Sequence, residues 1–202
     1  MHKNINKFLQ SVVVLPVLTA SFALNPVAGI GAKLPTAAAI SPDQNRTLST
    51  VLAANKQLDL DVKAAKIDAF FAMYGLPMEG KGQKLVEAAT ENGLSPYEIA
   101  VVSIVESTGG KFACPNDPNN AFGWNSCHGA KFKSMDDAID TVAKTISGNN
   151  PKTASYYAGK DFNTRFQVYN GYANDQYITN IKWAIRKIDS MPVKADATLA
   201  SL

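Results

Sequence analysis

The sequence predicts a mainly α-helical domain, and three observations carry that reading. Apolar residues recur at three- and four-residue spacing in one segment after another. Capping residues and glycines bracket those segments at their starts and stops. No convincing pair of alternating strands is found, although the loop 111–133 has room for a short β-hairpin.

The elements follow in order. Residues 33–58 are rich in Ala, Ser, Thr, Asn and Pro without a clear apolar period, so they read as a linker with a short helix around Leu48 to Ala54. Asp59 or Asp61 caps a helix carrying Val62, Ala65, Ala69, Phe70 and Tyr74, and Gly75 with Pro77 ends it. A second helix runs from Gly82 to Asn92 and stops at Gly93. Ser95, Pro96 and Glu98 then have the pattern of a capping box with proline at the first helical position. Ile99, Val102 and Val105 continue that third helix, and Gly109-Gly110 terminates it. After the long loop 111–133, Ser134 and Asp137 open a fourth helix that ends at Gly148. Asp161 to Tyr169 is a shorter helical segment. The last helix spans Asp175 to Ser190 on the stripe Ile178, Ile181, Ile185 and Ile188. The domain therefore covers 59–191, and 192–202 is a small, polar, flexible tail.

Composition narrows the function. A hydrophobic share of 46% with 18% charged residues belongs to a globular protein rather than a disordered one. Residues 1–32 have the form of an export signal: His2, Lys3 and Lys7 precede an apolar run from Phe8 to Ala23, with small residues at Ala23 and Ala32 for cleavage. An uncleaved segment would be the chain's one membrane attachment. The 20 basic residues, less Lys3 and Lys7, leave 18 against 17 acidic ones. A near-neutral surface has no footprint for nucleic acid. A secreted, periplasmic or wall-associated location would oxidise Cys114 and Cys127 to a disulfide.

Glu106 is the residue that points to chemistry. It shares a helix face with Ser103, Val102 and Ile99, and it interrupts an apolar helix one turn from its C-terminus. Apolar surroundings and the negative helix end both disfavour the ionised form, which raises the pKa. A general acid for glycoside cleavage needs that shift. The glycines that follow open space beside the carboxyl group for a polymer.

The ordered set Ile104-Val105-Glu106-Ser107-Thr108-Gly109-Gly110-Lys111, Asn119-Asn120-Ala121-Phe122-Gly123-Trp124 and Phe132-Lys133-Ser134-Met135-Asp136-Asp137-Ala138-Ile139 resembles the peptidoglycan glucosaminidase family of the lysozyme-like superfamily. Tyr169-Asn170-Gly171-Tyr172, followed by Asp175 and Tyr177, resembles the segment of those enzymes that carries a site tyrosine, and is equally similar to lytic transglycosylases. The resemblance spans roughly 85–190. It implies a single lysozyme-like helical domain that cleaves β-1,4 bonds of peptidoglycan glycan strands, with Glu106 as acid and Tyr172 or Tyr169 as the site tyrosine. It places Ser107, Asn120, Phe122, Gly123 and Trp124 along the sugar groove. A non-catalytic glycan binder is the reading from another class. No cofactor is implied, and a monomer is expected.

The sequence departs from the family pattern in two respects. The cysteine pair brackets Phe122-Gly123 and would rigidify that loop. No partner carboxylate stands out, since Asp136, Asp137 and Asp175 suit helix starts and Asp117 suits a turn. Metal chemistry lacks material: Cys114, Cys127 and His128 miss zinc spacing, and the loop from Asp117 puts Phe122 and His128 where calcium binding needs Gly and Glu.

Overall fold

The computed structural model describes residues 42–129, 131–172 and 175–193. The export signal read in 1–32, the start of the linker and the end of the tail lie outside them. The described residues form seven α-helices: α1 Pro42–Met73, α2 Gly82–Glu91, α3 Glu98–Ser107, α4 Met135–Ser147, α5 Ala154–Tyr157, α6 Phe162–Tyr169 and α7 Gln176–Asp189. No β-sheet is present among them. The loop 111–133 holds a single isolated bridge, Cys114 to Asp117, where a hairpin had room, and a short 3-10 turn at Trp124–Cys127.

The first helix departs most from expectation. α1 is continuous through 42–58, the described part of the stretch read as a linker, and residues 45–59 are exposed on every side. An element with no buried face has no apolar period to betray it, although Val51-Leu52-Ala53-Ala54-Asn55-Lys56-Gln57-Leu58 is mostly good helix former. Burial starts further on, and on a different stripe from the expected one. Ala64, Ile67, Phe70 and Phe71 enter the core, whereas Val62 and Tyr74 face solvent.

α3 is the central element. Ile99, Ala100, Val101 and Val102 are all fully buried, so this part of the helix is enclosed on every side. It packs against α2, α4 and α7. Leu85, Val86, Ala88 and Ala89 of α2 and Ala138, Ile139, Val142 and Ile146 of α4 complete that core, with Ile181, Ala184 and Ile188 from α7. The start of α3 is held on two sides. The Glu98 carboxylate accepts from Ser95 N at 2.9 Å and pairs with Arg165 of α6 at 2.7 Å. Ser134 caps α4 as expected, its hydroxyl accepting from Asp137 N at 3.1 Å, while the Asp137 carboxylate accepts from Lys133 N rather than from Ser134 N as a full capping box would require.

Candidate active site

α3 ends where the site begins. Thr108 takes a left-handed conformation after Ser107, which turns the chain away and leaves Glu106 on the last turn. Glu106 borders a cleft of about 730 Å³. Gly123 to Cys127 form part of its wall, Thr153 and Tyr157 come from the start and end of α5, and Tyr169, Asn170 and Gly171 come from the end of α6.

The carboxyl group of Glu106 is tightly placed although the residue as a whole is open to the cleft. Its Oε1 accepts a hydrogen bond from the Tyr177 hydroxyl at 2.6 Å. Its Oε2 lies beside Gly123, where a Cβ would come within 2.8 Å. Gly123 also has φ 62°, so conformation and space both demand glycine there. The protein packed around the carboxyl pushes its pKa above the ordinary carboxylate value, and the Tyr177 hydrogen bond opposes that rise. Burial and the neighbouring carboxylate push the Tyr177 hydroxyl far up in turn, so it stays a donor.

The loop before the cleft is braced from within. Asn120 is buried, and its side chain accepts from Trp124 N at 3.0 Å and donates to Trp124 O at 3.0 Å. Ser107 is buried too, with its hydroxyl 2.6 Å from Ala121 O and accepting from Gly110 N at 2.9 Å. Asp117 accepts from Asn119 N and from Phe132 N, at 3.1 and 2.9 Å, which makes it a loop former. The Cys114–Cys127 disulfide closes this loop with Cα atoms 5.3 Å apart. Asn125, Ser126 and Cys127, all non-glycine, have left-handed backbones immediately before that crosslink closes.

Of the residues singled out from sequence, Glu106, Gly123, Trp124 and Tyr169 come together at the cleft. Tyr169 packs its ring 6.5 Å from that of Trp124 and donates to Phe122 O at 2.8 Å. Its hydroxyl is thereby committed, and burial raises its pKa well above the ordinary tyrosine value. Ser107, Asn120 and Phe122 lie behind the wall, where they hold the loop. Tyr172 is 66% exposed and lies outside the cleft lining. Tyr177, the residue that touches the Glu106 carboxyl, was visible only as a neighbour of the tyrosine segment. The signal that could have found it is the α7 core stripe, which runs Tyr177, Ile181, Ala184 and Ile188 rather than through Ile178 and Ile185. An aromatic with a polar tip at the end of a core stripe needs a partner.

Among the described residues no cluster of His, Cys, Asp and Glu could hold a metal ion, and no helix is long and apolar enough to cross a membrane. Glu106 is the one carboxylate among the described residues that line the cleft. Comparison with known proteins found no family model, no curated protein and no solved structure that matches this chain.

Proposed function

We propose that this chain is an exported peptidoglycan hydrolase that cleaves β-1,4 glycosidic bonds of the glycan strand in the manner of an endo-β-N-acetylglucosaminidase. The observation that carries the reading is the Glu106 carboxyl, held by Tyr177 at the mouth of a polar cleft with its pKa raised. The resemblance of the segments around Glu106, Phe122-Gly123 and Tyr169-Asn170-Gly171 supplies the substrate class.

The geometry supports a defined proton route. Tyr177 donates to Oε1, so the acidic proton of Glu106 sits on Oε2, beside Gly123 and the cleft. From there it passes to the glycosidic oxygen as the bond to C1 breaks. The absence of a Cβ at position 123 lets the chain wall approach that oxygen closely without blocking it. Trp124, packed against Tyr169, offers an aromatic face to a sugar ring.

The lone cleft carboxylate shapes the second half of the reaction. Paired-carboxylate glycosidases place two acids about 5 to 9.5 Å apart. With one acid, the positive charge at C1 falls to the substrate's own acetamido oxygen, and the Glu106 carboxylate then takes a proton from the incoming water. The same observation favours a second reading, lytic transglycosylase action, in which an intramolecular sugar hydroxyl replaces water and leaves an anhydro end.

A zymogram on purified cell wall with wild type beside Glu106→Gln tests the proposal. Clearing by wild type and none by the variant is the expected pair. Equal clearing by both removes Glu106 from the mechanism, and no clearing by wild type with retained wall binding leaves a glycan-binding domain. Mass spectrometry of the digest separates the two enzymatic readings, because anhydro ends form only by transglycosylation.

A further inference from the structure

Three tyrosines line or touch the site, and their hydroxyls differ in one respect. That of Tyr177 is spent on Glu106 and that of Tyr169 on the Phe122 carbonyl. Tyr157 is only 7% exposed and lines the cleft. Among the described residues its hydroxyl has no hydrogen-bond partner, and burial alone accounts for its pKa being raised to about 12. The oxygen is not sealed inside the protein either, which leaves the cleft as the place it opens to. A mostly buried hydroxyl without a partner in the chain that opens to a cleft is completed from outside the chain, by water or by a molecule lodged there.

The position of Tyr157 is built rather than incidental. α5 is a single turn packed on α4 and α6. The end of α4 meets the chain just after Tyr157 so closely that a Cβ on Gly148 would lie 2.6 Å from the Ala158 backbone. The neighbouring Tyr156 is 62% exposed, so the turn presents one tyrosine outward and draws the other in.

We infer that Tyr157 is a substrate-binding residue whose hydroxyl donates a hydrogen bond to an acceptor oxygen of a sugar unit lodged in the cleft beside Glu106. This inference rests on the glycan-cleaving reading and deepens it. Water satisfies the hydroxyl in the free protein, and a hydroxyl, ring or acetamido oxygen of the glycan replaces that water on binding. The contact acts on binding, because Tyr157 has no hydrogen bond to Glu106 through which to move its proton.

The test is Tyr157→Phe assayed on soluble, peptide-stripped glycan strands. One neutral hydrogen bond contributes about 0.5–1.5 kcal/mol, so KM is expected to rise roughly three- to tenfold. The kcat should stay within about twofold, and the pH profile and Tm should match wild type. In the Glu106→Gln background, adding Tyr157→Phe should weaken equilibrium binding of the same strands by a similar factor. An active wild type with KM unchanged in the variant overturns this inference and spares the function. A Tm lowered by many degrees also overturns it, because the hydroxyl would then be structural. Absence of both cleavage by wild type and binding by Glu106→Gln removes the functional reading itself, and this inference with it.

Discussion

The Tyr177 hydroxyl lies 2.6 Å from Oε1 of Glu106, joining the last turn of α3 to the first turn of α7. Protein packed around the carboxyl raises its pKa, and this hydrogen bond pulls the other way because it favours the ionised form. In the proposed mechanism the acid works only while protonated, so activity is expected to fall on the alkaline side as Glu106 ionises. Tyr177→Phe removes the lowering influence and is expected to move the alkaline limb of kcat/KM to higher pH. The rate at the optimum should drop roughly tenfold, the worth of about 1.5 kcal/mol of hydrogen bonding to a charged group. A pH–rate profile of the two proteins checks this. A limb that moves to lower pH would contradict the assigned role of Tyr177.

Gly123 is the tightest point of the wall. Gly123→Ala would place a methyl group 2.8 Å from Oε2 and force alanine into a backbone with φ 62°. The strain costs about 1–2 kcal/mol, which calorimetry reads as a Tm lower by several degrees. The displaced carboxyl should cost far more in rate, on the order of a hundredfold, since misplacement by about an ångström has that effect. Retained activity with lowered Tm would mean that the carboxyl tolerates the shift and that Gly123 serves the turn alone.

The parts of this architecture that were legible from sequence are those with a local chemical signature. The Ser134 cap follows from a side chain that bonds the nearest backbone N–H and the stop at Gly148 from a glycine in the left-handed region, and both stand in the structure. The α1 arm was legible only as a short helix around Leu48 to Ala54, because helix propensity without burial leaves no pattern to mark its full length. α5 was missed because one turn is shorter than any period, yet it carries Tyr157. The site divided along the same line. Glu106 could be found because a carboxylate on an apolar helix is out of place, whereas the buried work of Asn120 and Ser107 depends on loop contacts that spacing does not encode. Tyr177 lies 71 residues from Glu106, and only the packing of α3 on α7 brings them together.

The disulfide is expected to govern both stability and the wall. It joins cysteines 13 positions apart, and removing it by Cys114→Ser with Cys127→Ser should cost about 3 kcal/mol on the chain-entropy account. Asn125, Ser126 and Cys127 all line the cleft in left-handed conformations that cost non-glycine residues about 1–2 kcal/mol each. Released from the crosslink, that segment relaxes. Glycan cleavage should fall while Glu106 and Tyr177, on separate helices, keep their contact. Urea titration and a cell-wall assay with and without a dithiol reductant test the two effects. Equal activity under both conditions would show that the strained segment is held by its other contacts.

Arg165 holds the start of α3 to α6, the helix that ends in Tyr169. Its partner Glu98 is 2% exposed, so Arg165→Met leaves a buried carboxylate without its cation. Breaking such a pair from one side costs about 3–5 kcal/mol. Replacing both, with Glu98→Gln added, removes the stranded charge and should recover part of the loss. Denaturant midpoints of the single and double variants decide it. A double variant no more stable than the single one would show that the packing of Arg165, rather than its charge, is what α6 needs.

Glu106 should also leave a mark on stability that is opposite in sign to an ordinary surface carboxylate. Its folded pKa lies above the unfolded one. Between those two values the folded chain binds more protons than the unfolded chain, so stability falls as pH rises through the window and stays lower above it. Below the unfolded value, near pH 4, both states are protonated and the effect vanishes. Glutamine cannot ionise and can still accept from Tyr177. Glu106→Gln is therefore expected to match wild type in Tm near pH 3.5 and to exceed it at pH 7. Calorimetry across that range reads the difference directly. A wild type more stable than the variant at pH 7 would mean that the fold favours the ionised carboxylate, and a group so favoured holds no proton to deliver near neutral pH.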